Sequence, residues 1–155
     1  MKIIVDSNIV FSAILNTKSK IGQLIINSSS FFDFYSVQLL KAEIIEHKSK
    51  ILRITGFSDN QFAEIFQLVT CKIKFVDDIL LSDKDLNKAL NLVAGIDTDD
   101  AMFVALTNRM LATLWTGDKQ LIKGLKKKGY SRIISTEDLY ALLTDKQHKA
   151  MRKRK

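Results

Sequence analysis

The chain has no proline, a single cysteine and two histidines among its 155 residues. Without proline, turns and helix ends must be written in Gly, Asn, Asp and Ser. One cysteine, Cys71, excludes an intrachain disulfide and a thiolate zinc cluster, which fits a reducing, cytoplasmic compartment. His47 and His148 stand at no metal-ligand spacing. No apolar run nears the roughly 18 residues of a membrane span, and the opening MKIIVDSN lacks the basic-then-apolar pattern of a leader. What these absences leave is a soluble single domain with no membrane partner. Apolar residues are 46% and charged residues 26% of the chain, an ordinary globular balance. A domain of this size buries roughly 68–70% of its unfolded surface and needs no covalent or metal staple to fold.

The formal net charge of +7 is unevenly spread. Lys146, Lys149, Arg152, Lys153, Arg154 and Lys155 lie in the last ten residues, KQHKAMRKRK, with no acid among them. Setting these six aside leaves +1 for residues 1–145. The reading is a near-neutral domain over 1–145 and a flexible basic tail over 146–155. Such a tail either adds salt-sensitive affinity for phosphate backbones or is a solvated, frayed terminus.

Short β-branched runs alternate with helical periodicity. Strands are predicted at 2–5 (KIIV), 31–35 (FFDFY), 72–76, 112–116 (ATLWT) and 132–134. Helices are predicted at 8–15 and 19–28, and over 37–53 with Val37, Leu40, Ile44 and Ile51 on one stripe. Ser58 and Gln61 form a capping box for the next helix, and Ser82 to Asp85 caps another that Gly95 ends. Asp99 or Asp100 opens AMFVALTNRM, Asp118 opens a helix that Gly129 terminates, and Ser135 to Asp138 caps the last, DLYALL. Alternating strands and helices of these lengths predict βαβ units and an α/β fold with a parallel sheet covered on both faces.

In such a sheet, ligands bind beyond the carboxyl ends of the strands where strand order reverses. Asp6 directly follows the first strand, Asp118 follows ATLWT, and GIDTDD gathers Asp97, Asp99 and Asp100. Each alone reads as a helix cap. Together at one sheet edge they would repel one another unless a cation neutralised them. An all-oxygen donor set favours Mg²⁺ or Mn²⁺ over Zn²⁺, with phosphoryl chemistry the natural reaction class. A further acid is expected from the helix beginning at Val37: Glu43 borders its apolar stripe, whereas Glu46 has Lys50 at i+4, the spacing of an exposed ion pair. Trp115 and Cys71 read as core residues, and Asp77 and Asp78 as a turn.

The combination VDSN (Asp6, Asn8), KAEIIEH (Glu43), DTDDAMFVALT (Asp100) and LWTGDKQLIKGLKKKG (Thr116, Asp118) resembles the PIN-domain nucleases over residues 2 to about 140. The resemblance implies a three-layer α/β/α fold with a parallel sheet of about five strands and an acidic pocket for Mg²⁺ or Mn²⁺. It also implies metal-dependent cleavage of single-stranded RNA. Many small members are toxins with an antitoxin partner, of the VapBC type, and often form homodimers. Carried over by position, Asp6, Glu43, Asp100 and Asp118 match the catalytic acids, Asp6, Asp100 and Asp118 being metal ligands. Asn8 and Thr116 match supporting polar residues, with Asp99 kept as the alternative to Asp100.

RNA must be drawn past a negative pocket, so Lys119 and Lys123 on the helix after Asp118, with Arg152, Lys153 and Arg154 of the tail, are the candidate backbone contacts. Lys126 to Lys128 read instead as complements to a helix dipole. One alternative is a catalytically silent RNA- or partner-binding module on the same fold. Another is an aspartyl-phosphate phosphatase of the haloacid dehalogenase type. That chemistry needs a second aspartate two residues after the first, where Asn8 stands.

Overall fold

Three consecutive β-branched residues, Ile3, Ile4 and Val5, are wholly excluded from solvent, the condition of a strand covered on both faces. The computed structural model describes all 155 residues. Strands β1 (Lys2–Val5), β2 (Asp33–Val37), β3 (Ile73–Val76), β4 (Thr113–Trp115) and β5 (Ile133–Ile134) form one sheet in the order β3-β2-β1-β4-β5. Every pairing is parallel, with Ile4 opposite Tyr35 on one side and Leu114 on the other. Nine α-helices flank it: α1 (Ser7–Leu15), α2 (Lys20–Asn27), α3 (Leu39–Glu46), α4 (Lys48–Thr55), α5 (Asp59–Thr70), α6 (Asp83–Val93), α7 (Ala101–Met110), α8 (Lys119–Lys127) and α9 (Thr136–Lys153). The architecture is the α/β/α sandwich expected, and a single core of 34 buried residues runs through it. No helix is long and apolar enough to cross a membrane.

The helix starts follow the capping chemistry. Ser58 with Gln61, and Ser82 with Asp85, close reciprocal capping boxes on α5 and α6. Gly129, at φ +78°, follows α8 in a left-handed conformation that suits glycine. Trp115 is fully buried, and its indole N–H donates to the Thr136 hydroxyl at 3.0 Å.

Several boundaries differ from the sequence expectations. The second strand begins at Asp33 rather than Phe31, because the N–H groups of Phe31 and Phe32 are still spent on the Ser28 carbonyl in the turn after α2. The helix expected over 37–53 is two helices broken at His47, whose backbone leaves helical geometry (φ −94°, ψ 11°). The break takes Lys50 out of register with Glu46, and that ion pair does not form. A 3₁₀ turn, Thr98–Asp100, precedes α7. Cys71 is exposed, because as the C-cap of α5 it lies past Val69 and Thr70, which take the inward positions.

The basic segment expected to be a separate flexible tail is continuous with α9, which runs helical through Lys153. α9 starts at the carboxyl end of β5, and its last turns lie with Phe31, just before β2 starts. It therefore travels the full height of the sheet, about 24 Å from Thr136 to Arg152 at 1.5 Å per residue.

Candidate metal centre

The strand order places the site. From β1 the chain crosses to β2 on one side, and from β4 to β5 on the other, so the carboxyl ends of β1 and β4 flank the point of reversal. Asp6 is the first residue beyond β1, and its N–H donates to the Trp115 carbonyl at 3.3 Å. One carboxylate oxygen, Oδ1, accepts the Ile9 N–H at 2.9 Å and caps α1. The other, Oδ2, is buried without a hydrogen-bond partner. Burial pushes the Asp6 carboxyl up to about 6; the Thr116 hydroxyl and the Ile9 N–H act against that rise, and the Asp118 charge adds to it.

Asp118 arrives from β4 through Thr116 and Gly117. The buried Thr116 hydroxyl accepts the Asp118 N–H at 3.1 Å. Asp118 Oδ1 in turn accepts the N–H groups of Gln120 and Leu121 at 2.9 and 3.1 Å, capping α8. Its capping and its place in an acidic group are therefore compatible, since a carboxylate has lone pairs for both.

The third arm is the segment between α6 and α7. Ile96 lies against Gly124 of α8 so closely that a Cβ at 124 would sit 2.5 Å from Ile96 Cδ1. This contact pins the neighbouring Asp97 to the helix that Asp118 caps. Carboxylate oxygens of Asp97, Asp100 and Asp118 lie within 4.8 Å of one another. Asp100, half-buried, is pushed up to about 7, first by burial and then by the charges of Asp6, Asp97, Asp118 and Asp99. Four acids at one crevice, one with an unpartnered buried oxygen, fit a hard divalent cation. Its charge would offset the burial and the mutual repulsion that push the Asp6 and Asp100 carboxyls up.

Of the sequence-predicted residues, the fold brings Asp6, Asp100, Asp118 and Thr116 to this crevice. Asp99 is exposed, and its N–H donates to Asp97 Oδ1 at 2.9 Å; it contributes charge, while Asp97 supplies the oxygen near the other two. Asp97 was legible only as part of the GIDTDD cluster, because cap preference does not distinguish three neighbouring acids. Glu43 is not in the group and is not among the charges acting on Asp6 or Asp100. It lines an adjoining cavity of about 370 Å³ together with Asn8, Phe11, His47 and Lys50.

Lys119 and Lys123 are exposed on α8, beginning one residue past Asp118. Lys128 has a structural duty unlike the one expected: its ammonium donates to the carbonyls of Leu92 (2.7 Å) and Ala94 (2.8 Å), closing the end of α6 rather than of its own helix. Arg152, Lys153 and Arg154 do not border the aspartates; they end α9 at the opposite edge of the sheet.

Residues 4–144 match a family model described as the PIN domain. No curated protein sequence matches the chain. Among solved structures, the crystal structure of PAE2754 from Pyrobaculum aerophilum is similar, with a TM-score of 0.63 at 17% identity over 94% of this chain and 90% of that one.

Proposed function

The chain belongs to the PIN-domain family, a nuclease superfamily, and from that premise we propose that it hydrolyses phosphodiester bonds of single-stranded RNA with Mg²⁺ or Mn²⁺. The observation that carries the reading is the buried, unpartnered Oδ2 of Asp6 at the crevice where Asp97, Asp100 and Asp118 converge. A cap needs one oxygen, and Asp6 gives that to Ile9; the second is buried without reward until a cation meets it. The family match sets the phosphatase reading aside.

Asp6, Asp100 and Asp118, with Asp97, would hold the ion. Bound there, a divalent cation acidifies water and neutralises charge developing on the phosphate. Thr116 holds the Asp118 backbone and so fixes its carboxylate direction. Glu43, on the wall of the adjoining cavity beside Asn8, is assigned the positioning of the attacking water and the removal of its proton. The Asn8 amide is a donor for a phosphate oxygen, and Lys119 and Lys123 offset the repulsion that the acids exert on an approaching strand.

The test is an assay on end-labelled single-stranded RNA with Mg²⁺, Mn²⁺ or EDTA, comparing wild type with Asp6→Asn. Cleavage that needs metal and disappears in the variant supports the proposal. RNA that shifts in a gel without shortening would make the chain a silent binding module instead. The narrower reading, a cytoplasmic, homodimeric toxin with an antitoxin partner, rests on the family resemblance. It predicts growth arrest on expression of wild type and none with Asp6→Asn.

A further inference from the structure

We propose that the cavity walled by Phe11, His47 and Lys50 receives one unpaired base of the RNA strand; the inference rests on the nuclease reading of the neighbouring aspartates. Its volume of about 370 Å³ lies near the lower bound of roughly 300–1,000 Å³ usual for ligand sites, room for a single nucleotide rather than a folded partner. The lining is part apolar (Phe11, Leu15, Ile51, with Ile54 at the surface) and part polar (Asn8, Glu43, His47, Lys50). That division suits a base, whose faces are apolar and whose edges carry donors and acceptors.

Two features of the fold build this lining. The Phe11 and His47 rings meet edge to face, with centroids 5.8 Å apart at 64°, and both ring types serve as stacking surfaces for unpaired bases. The helix break at His47 takes Lys50 from Glu46 and leaves its ammonium without an ion-pair partner, lining the cavity opposite in charge to Glu43. A free cation beside a base-sized cavity matches the phosphate that accompanies every base.

The cavity is also continuous with the site. Ser7 and Asn8 line it and are the first two residues of α1, the helix that Asp6 caps. Phe11 stands five residues beyond Asp6, about 7.5 Å along the helix axis, so a strand whose phosphate stands at Asp6 can bring its neighbouring base to Phe11. A paired base enters only after unpairing and unstacking, at a cost in free energy, so such a cavity favours single strands.

Fluorescence anisotropy with labelled homopolymeric RNA hexanucleotides in EDTA, together with mapping of cut positions on a mixed-sequence RNA in Mn²⁺, tests this. Phe11→Leu and His47→Gln are expected to weaken the best-bound homopolymer about 10-fold, to level the ranking of the four, and to redistribute the cuts. Lys50→Gln is expected to weaken all four alike and to reduce the salt slope by about 0.7. His47 and Lys50 are exposed, so their variants keep the test decisive where Phe11→Leu fails to fold. Unchanged ranking and cut positions in folded variants, with cleavage still lost in Asp6→Asn, would refute the base pocket and leave the nuclease reading standing. A wild type that neither binds nor cuts RNA would overturn both.

Discussion

The N–H of Asp118 is held by the hydroxyl of Thr116, two residues earlier and fully buried, at 3.1 Å. This bond sets the turn by which the chain leaves β4, and with it the direction of the Asp118 carboxylate. Thr116→Val keeps the shape and removes the acceptor. The expected result is a loss of about 1 kcal/mol, the net worth of a part-buried hydrogen bond, with weaker Mn²⁺ binding. Thr116→Ser restores both. Thermal unfolding and Mn²⁺ calorimetry on the pair of variants check it.

Metal-free protein is expected to lose stability as pH rises. Asp6 and Asp100 titrate near 6 and 7 in the folded chain against 3.8 for the ordinary carboxyl. The folded state thus holds more protons than the unfolded one from about pH 4 to 7, and its advantage declines across that window. For the deeply buried Asp6 the penalty at pH 8 reaches up to about 3 kcal/mol. In EDTA at pH 8, Asp6→Asn should melt above wild type, with the gap closing towards pH 4. Mn²⁺ should raise the wild-type melting temperature at pH 8 and leave Asp6→Asn nearly unmoved. A wild type whose melting in EDTA ignores pH between 4 and 8 would contradict this account.

Asp97 and Asp99 separate cleanly by experiment. Both side chains are exposed, but only Asp97 has a carboxylate oxygen within 4.8 Å of those of Asp100 and Asp118. Asp97→Asn is expected to weaken Mn²⁺ binding about 10-fold, and Asp99→Asn by less than a factor of about two, since it removes only a screened charge. Gly124→Ala, which drives a methyl into Ile96, should act on Mn²⁺ affinity in the same direction as Asp97→Asn without removing any charge. Equal effects of Asp97→Asn and Asp99→Asn would sink the assignment.

The basic end of α9 should matter only to long substrates. Replacing Arg152, Lys153 and Arg154 by Gln is expected to leave hexanucleotide affinity unchanged. For a strand of about 20 nucleotides it should lower both affinity and salt slope, by about 0.7 per lost phosphate contact. Lys119→Gln with Lys123→Gln should weaken both lengths. Anisotropy titrations across a salt series distinguish the two groups.

Much of this architecture was legible because local signals agreed with one another. The β-branched run before Asp6, the reciprocal boxes at Ser58 and Ser82, and Gly129 each carry their meaning within a few residues, and the fold honours them. Two features escaped because they depend on distant partners. Asp97 becomes the third carboxylate through Ile96 packing on Gly124, a contact that no spacing announces. The interruption at His47 hides inside a stripe of well-placed apolar residues, Leu40, Ile44 and Ile51. The basic terminus was legible in charge but not in place, since only the path of α9 reveals that it ends far from the acids.

The sheet order also has a consequence in time. Ile3 pairs with Thr113 and Val5 with Trp115, so the crevice joins two strands 110 positions apart along the chain. A nascent chain carrying β1, β2 and β3 holds Asp6 and Glu43 but has no wall on the other side of β1. A domain folds as a unit, so the acidic group comes into being only when β4 docks on β1. Pairing across so long a separation costs loop-closure entropy before any contact rewards it, so the aspartates meet late in folding and there is no acidic crevice until the sheet is whole.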